Sequence, residues 1–206
     1  MKTLKILEGS KMSRIPYIRR EDFSEAQKRL FDGITRGERG KERPLEKFLT
    51  PEGGLAGPFN ALLYSPILGD AAQRLGEGIR FHSAIPPRLR ELAILVVAAD
   101  WKAEYEWYSH EKIGRREGLS DSVMESIRKG EIPVFSDSEQ PAVYRLIVEL
   151  LENRQVSDPV YKEAIERLGE TVVVELVMLA GYYTMISMIL NVFKVPLPPG
   201  EKNPFS

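Results

Sequence analysis

The stretch Pro87-Arg88-Leu89-Arg90-Glu91-Leu92-Ala93-Ile94-Leu95-Val96-Val97-Ala98-Ala99-Asp100 decides the fold. Leu89, Leu92, Ala93, Val96 and Ala99 recur at helical spacing along one side, while Ile94, Leu95 and Val97 make the other side apolar too. A helix that is apolar nearly all round belongs in the middle of a helical domain. Pro86-Pro87 opens it, since proline suits a first helical turn. A break is expected near Asp100-Trp101-Lys102, with Asp100 capping a following helix that runs to about Glu117 and stops at Gly118. That second helix carries Glu104-Tyr105-Glu106-Trp107-Tyr108-Ser109-His110, which holds one of the two histidines among 206 residues. Glu106 and His110 stand four residues apart, roughly 40° around the axis, and share one face. By spacing alone the pair is either plain helix support, worth roughly 0.2–0.5 kcal/mol, or an imidazole oriented by a carboxylate to move protons near neutral pH.

Outward from this pair of helices the chain is punctuated by helix signals. Ser24-Glu25-Ala26-Gln27 reads as a capping box opening a short helix to about Phe31. Residues 33–57, rich in glycine, proline and charge, read as a long loop that covers the site or lies on the surface. A short helix is expected over Pro58 to Tyr64, and Ser65-Pro66 opens another that ends near Arg80-Phe81-His82. Ser120 and Gly130 bound a further helix. Asp137-Ser138-Glu139-Gln140 is a second capping box, leading into the stripe Val143, Leu146, Ile147, Leu150 and Leu151. Ser157-Asp158-Pro159 starts a helix that ends at Gly169, and an apolar helix follows from Glu170 to about Asn191. Pro196, Pro198 and Pro199 force an extended tail. The reading is an all-α, single-domain bundle of about eight or nine helices spanning 1–206, with extended arms at 1–20 and 194–206.

Twenty-nine basic against thirty acidic residues give a formal net charge of −1. That balance carries no nucleic-acid stripe and no polybasic membrane patch, so neither partner is expected. The absence of cysteine removes disulfides, thiolate metal sites and thiol catalysis. Val172 to Phe193 is long enough to span a bilayer. Glu175 near its start and the Gly-Tyr-Tyr-Thr run at 181–184 favour a core or interface helix instead. No signal-peptide pattern opens the chain, and a cytoplasmic location is expected.

Several stretches resemble the carboxymuconolactone decarboxylase family, which includes the alkylhydroperoxidase D-like proteins. They are Gly57-Pro58-Phe59-Asn60-Ala61-Leu62-Leu63-Tyr64-Ser65-Pro66, Arg90-Glu91-Leu92-Ala93-Ile94-Leu95, Glu104-Tyr105-Glu106-Trp107 with His110, and Gly118-Leu119-Ser120. Gly181-Tyr182-Tyr183-Thr184-Met185 and Leu190-Asn191-Val192-Phe193 follow late in the chain. The resemblance implies an alkylhydroperoxidase D-like all-α fold that assembles as trimers or hexamers. It also implies a site built on Glu91, matching a proton-relay glutamate, and on His110. The family's peroxidase-like branch has a Cys-x-x-Cys pair where this chain has Ala103 and Glu106, so a thiol peroxidase is excluded. The match is to the cysteine-free, decarboxylase-like branch.

These readings combine into an expected cofactor-free lyase (a decarboxylase) or isomerase acting on a small carboxylated lactone or related enolisable acid. His110 is the proton donor or shuttle, Glu106 its orienter and Glu91 a second relay group whose burial should raise its pKa. Arg80 is a candidate clamp for a substrate carboxylate. Phe59, Trp107, Tyr182 and His82 are further candidates for lining the substrate site. Trp107 read blandly is core packing, and His82 a helix-end cap. Glu91, Glu106 and His110 could alternatively hold a divalent ion. A hydrolase on the same scaffold and a non-catalytic oligomeric binding protein also stay open.

Overall fold

Leu92, Ala93, Ile94, Leu95, Val97 and Ala98 are shielded from solvent on every side of one helix, and the molecule is arranged around it. The structure, a computed structural model, describes residues 13–51 and 53–206. Among the described residues it is helical, with ten α-helices, two short 3-10 turns (Arg20–Asp22 and Leu45–Phe48) and one isolated antiparallel bridge between Leu49 and Leu55. The helices are α1 (Glu25–Arg36), α2 (Glu38–Glu42), α3 (Phe59–Leu63), α4 (Pro66–Phe81), α5 (Pro87–Asp100), α6 (Glu104–Arg116), α7 (Asp121–Lys129), α8 (Glu139–Asn153), α9 (Asp158–Leu168) and α10 (Glu170–Val192). Two of them, α2 and α3, are five residues each; the eight longer ones and α3 are those the sequence foretells, and α2 is the addition.

The central helix is α5. It packs against α6, α7, α8 and α10, so all of its faces meet apolar neighbours. A second, smaller core lies under α1, α3 and the turn around Phe48 and Leu55, with Phe23, Leu30, Phe31, Ile34, Leu62 and Leu63. Ile189 of α10 touches both cores. Between them runs α4, which contacts α1, α2 and α3 on one side and α10 on the other.

Local signals set most boundaries. The Ser24–Gln27 capping box is formed in both directions, Ser120 accepts from the Val123 amide, and Gly130 takes the left-handed conformation that ends α7. At the start of α8 the Asp137 carboxylate accepts from the amides of Glu139 and Gln140. Two expectations are corrected. The 33–57 segment is not an open loop: α1 continues to Arg36 and α2 follows after one residue. Asp100 does not cap the next helix; it is the last residue of α5, and α6 begins after Ala103 with no side-chain cap. The turn uses Lys102 at φ 47° instead.

Both arms are docked where they are described. Residues 1–12 of the N-terminal arm lie outside the described residues. Beyond them the Arg14 amide donates to the Phe193 carbonyl, and the Ile18 amide to the Asn60 side chain. At the other end Asn203 donates to Glu104 and Phe205 packs edge-on against Trp107.

The close approach of α4 to α10 depends on Gly76. A Cβ there would stand 2.1 Å from the Tyr182 hydroxyl oxygen and 2.8 Å from a terminal nitrogen of Arg39. Gly76→Ala should therefore destabilise the fold even though alanine gains about 1 kcal/mol in helix propensity. Overpacking costs about 1–3 kcal/mol, and a contact this short belongs at the upper end. A net loss of about 2 kcal/mol, read as a lower urea midpoint with unchanged slope, is expected.

Candidate active site

The turn at 101–103 folds α5 and α6 into an antiparallel helical hairpin. Residues about equally far from such a turn come to lie side by side. Glu91, in the second turn of α5, thus meets His110, near the middle of α6. His110 Nδ1 lies 2.6 Å from Glu91 Oε2, and Nε2 lies 3.1 Å from Glu106 Oε1. All three are buried, at 2% exposure for Glu91, 5% for Glu106 and 7% for His110. The i,i+4 pair of the sequence is therefore one side of a three-membered cluster. Its third member comes from the neighbouring helix.

Electrostatics set the protonation. Burial pushes the His110 pKa down, but Glu91 first and Glu106 with it outweigh that effect and carry it from an ordinary 6.5 up to about 9. His110 is then an imidazolium at neutral pH, donating from both ring nitrogens. The raised Glu91 pKa expected from burial is not found. Burial does act in that direction, yet His110, Arg90 and Arg80 together hold the Glu91 carboxyl below its ordinary value. Arg90 Nε sits 3.2 Å from Glu91 Oε1, and its Nη1 donates to the Arg80 carbonyl.

The wall behind the imidazole comes from α10. Tyr183 meets the His110 ring edge-on at 5.2 Å between centroids, and Tyr182 meets Tyr183 in the same way at 5.1 Å. Burial pushes the Tyr182 phenol up to about 12 and the Tyr183 phenol well above its usual range, so both are neutral donors.

The remaining sequence candidates are distributed unevenly. Tyr182 stands at this wall. Phe59 stands beneath the Arg39 guanidinium, 5.9 Å from its ring centre. Arg80 is held by Glu42 at 2.6 Å. Trp107 is fully buried in the core against Phe205. His82 is the exposed C-cap residue of α4, outside the hydrogen bonds of the three. Sequence reasoning missed Arg90, which adjoins Glu91 in the chain and could have been suspected from that adjacency. It also missed Arg39, whose partners lie more than thirty residues away.

The three ionisable groups are not gathered around a point. The carboxylates take opposite nitrogens of the ring, so neither ring nitrogen faces a point shared with both carboxylates in this arrangement. Among the described residues no group of three or more His, Asp or Glu is arranged to hold a metal.

Comparisons with known proteins agree with this architecture. Residues 66–149, which contain the whole α5–α6 hairpin, match the model of the Carboxymuconolactone decarboxylase family. A protein of unknown function from Agrobacterium tumefaciens, proposed to be the antioxidant-defence protein AhpD, superposes with a TM-score of 0.61 at 17% identity, covering 70% of this chain and 99% of that one. The apo debrominase Bmp8 superposes with a TM-score of 0.64 at 12% identity, covering 91% of this chain and 92% of that one. A cysteine-to-alanine variant of Bmp8 in complex with 2,3,4-tribromopyrrole gives 0.63 at 13% identity, covering 91% of each chain. At such identities the likeness shows the fold, alkylhydroperoxidase D-like and all-α. No curated protein matches the sequence.

A raised histidine pKa makes stability depend on pH. The folded state binds the His110 proton more tightly than the unfolded chain does. Its contribution is therefore complete below pH 6.5 and is lost as pH rises towards 9. The loss is on the order of 3 kcal/mol. Urea unfolding of the wild type should show this decline across that window. Glu106→Gln should move the His110 titration, followed by proton NMR, to lower pH.

Proposed function

We propose that this chain, whose residues 66–149 match the model of the carboxymuconolactone decarboxylase family, is a cofactor-free carboxy-lyase acting on a small carboxylated lactone or related enolisable acid. One observation carries the reading: a buried histidine, held at both ring nitrogens by carboxylates, in a chain without cysteine. Thiol chemistry is closed to such a site, and proton transfer is what remains to its side chains. In the debrominase complex the same fold binds a small ring compound, which supports a ring-sized ligand here.

In a carboxylated, conjugated lactone the bond from the ring to the carboxylate breaks and carbon dioxide leaves. The electron pair moves into the lactone carbonyl as a dienolate. His110 then gives a proton to carbon, Glu106 keeping the ring oriented. Glu91, accepting from the Nδ1–H, favours the charged form of the ring, and a proton from solvent replaces the one given up. Neutral Tyr182 and Tyr183 are suited to stabilise developing negative charge without carrying their own. The same proton delivery without carbon dioxide loss would make the protein an isomerase. We place it in the cytoplasm, a compartment that suits a chain without cysteine.

Assembly as a trimer or hexamer belongs to this proposal. Val174, Val177, Met178, Met185, Met188 and Val192 are exposed on α10. Their spacing puts them on one stripe, opposite Tyr183. A second copy is the occupant this face fits: its length and apolar character suit a helix-to-helix seam. Light scattering should give a trimeric or hexameric mass, and Met178→Glu should lower it.

The catalytic assignment is tested by carbon dioxide release from carboxymuconolactone, with ring opening followed separately. His110→Ala should lower the rate by about 10²–10⁴-fold, the span of general-acid catalysis, and Glu91→Gln should also lower it. The rate should fall as pH rises through about 9, where His110 loses its proton, and Glu106→Gln should bring that fall to lower pH. Equal rates in wild type and both variants would overturn the assignment.

A further inference from the structure

The arginines around the site differ in how their charge is met. Arg80 is paired with Glu42, Arg90 with Glu91 and Arg116 with Glu117. Among the described residues Arg39 is the most deeply buried arginine or lysine, at 8% exposure, and no carboxylate stands within ion-pair distance of it. Its Nη1 donates to the Gln73 carbonyl and side-chain oxygens, both at 3.2 Å. Both acceptors are neutral. The acids nearest in its own helix are engaged elsewhere: Glu38 holds Lys41 and Glu42 holds Arg80. Glu77, facing α2 from α4, accepts from the Glu38 amide.

A buried guanidinium without a counter-charge is costly, and proteins rarely leave one so. Two hydrogen bonds use Nη1 only, which leaves Nη2 and Nε with donors to offer. The Nη2 end lies beside the Tyr182 hydroxyl. Both fall within 3 Å of the space above Gly76, at 2.8 and 2.1 Å from where a Cβ would be. Tyr182 in turn touches Tyr183, and Tyr183 touches His110. The Tyr182 phenol feels both the Arg39 charge and the Glu106 carboxylate. Arg39, Tyr182, Tyr183 and His110 thus form a continuous row, with a cation at one end and the proton donor at the other.

We propose that Arg39 is a substrate-binding residue of this site, which α2 lays beside Tyr182 to receive a carboxylate that does not react. The inference rests on the acid–base reading of His110, and it adds a ligand chemistry: a small ring carrying a spectator carboxylate. The planar fork of a guanidinium takes a carboxylate through two parallel bonds. Arg80, with its charge already met by Glu42, is less free to do so. The geometry at Gly76 serves the same end, because any side chain there would fill the space between Arg39 and Tyr182.

The test is direct binding to the full chain, without turnover. Calorimetric titrations would compare muconolactone, a lactone with one acetate arm and no carboxyl group on the ring, with its methyl ester. Wild type should prefer the acid by roughly tenfold to hundredfold, the range for a hydrogen-bonded charge. Arg39→Gln should bind the two about equally, and Arg39→Lys should retain part of the preference. Thermal melts would verify that each variant is folded. If Arg39 merely staples α2 to α4, its loss would lower the melting temperature but leave the preference intact. That result, or a wild type indifferent to the ester, would overturn the proposal. Failure of carbon dioxide release with an Arg39-dependent preference preserved would overturn only the decarboxylase reading.

Discussion

Everything in this structure that concerns chemistry depends on one imidazole buried between two carboxylates. Three ionisable side chains that are each less than a tenth exposed would be strongly unfavourable separately, because each charge loses its water. Together they compensate. The imidazolium answers both carboxylates, and Arg90 answers the surplus on Glu91. Removing any one member leaves a charge unmatched in a dry setting, a loss typically of about 3–5 kcal/mol. The hairpin of α5 and α6 must therefore hold its register closely. It does so through the short turn at 101–103 and the small residues Ala98, Ala99 and Ala103, which allow the Ala103 amide to reach the Ala98 carbonyl.

Helix boundaries were legible wherever a local signal was sufficient. Ser24, Pro66, Pro87, Ser120, Gly130 and Gly169 act on their own backbone or that of near neighbours, so the chain alone announces them. The 33–57 segment misleads because its glycines read as breakers. Gly37 and Gly40 instead permit close approach: added Cβ atoms would stand 2.5 Å from the Gly33 carbonyl and 2.1 Å from the Thr35 carbonyl. They let α2 turn tightly off the end of α1, which carries Arg39 inward. Asp100 misleads for the opposite reason. It has the chemistry of a cap, but α5 continues through it, and the left-handed Lys102 makes the turn.

The site was legible in part for the same physical reason. Glu106 and His110 lie on one helix face, and a face can be read from spacing. Glu91 belongs to another helix, and only the resemblance to a known family joined it to the pair. Its protonation was misjudged because burial is visible in an apolar sequence whereas His110, Arg90 and Arg80 as tertiary neighbours are not. Arg39 lies beyond both routes. Nothing near it in sequence hints at Gln73 or Tyr182.

The last helix shows why hydropathy alone could not decide between a core, an interface and a membrane. By length and composition α10 could cross a bilayer, yet a helix can be apolar all round because it has two different apolar neighbours. One face, with Leu176, Leu179, Ala180 and Ile186, is buried in the core, and Tyr182 and Tyr183 of that same face wall the site. The opposite stripe of valines and methionines is uncovered. Glu175 fits this division, since it is turned to accept from the Ala84 amide at the start of the helix. The tyrosines that touch His110 and Arg39 thus share a rigid rod with the exposed stripe. A partner docked on that stripe would therefore bear on the same rod that forms the wall of the site.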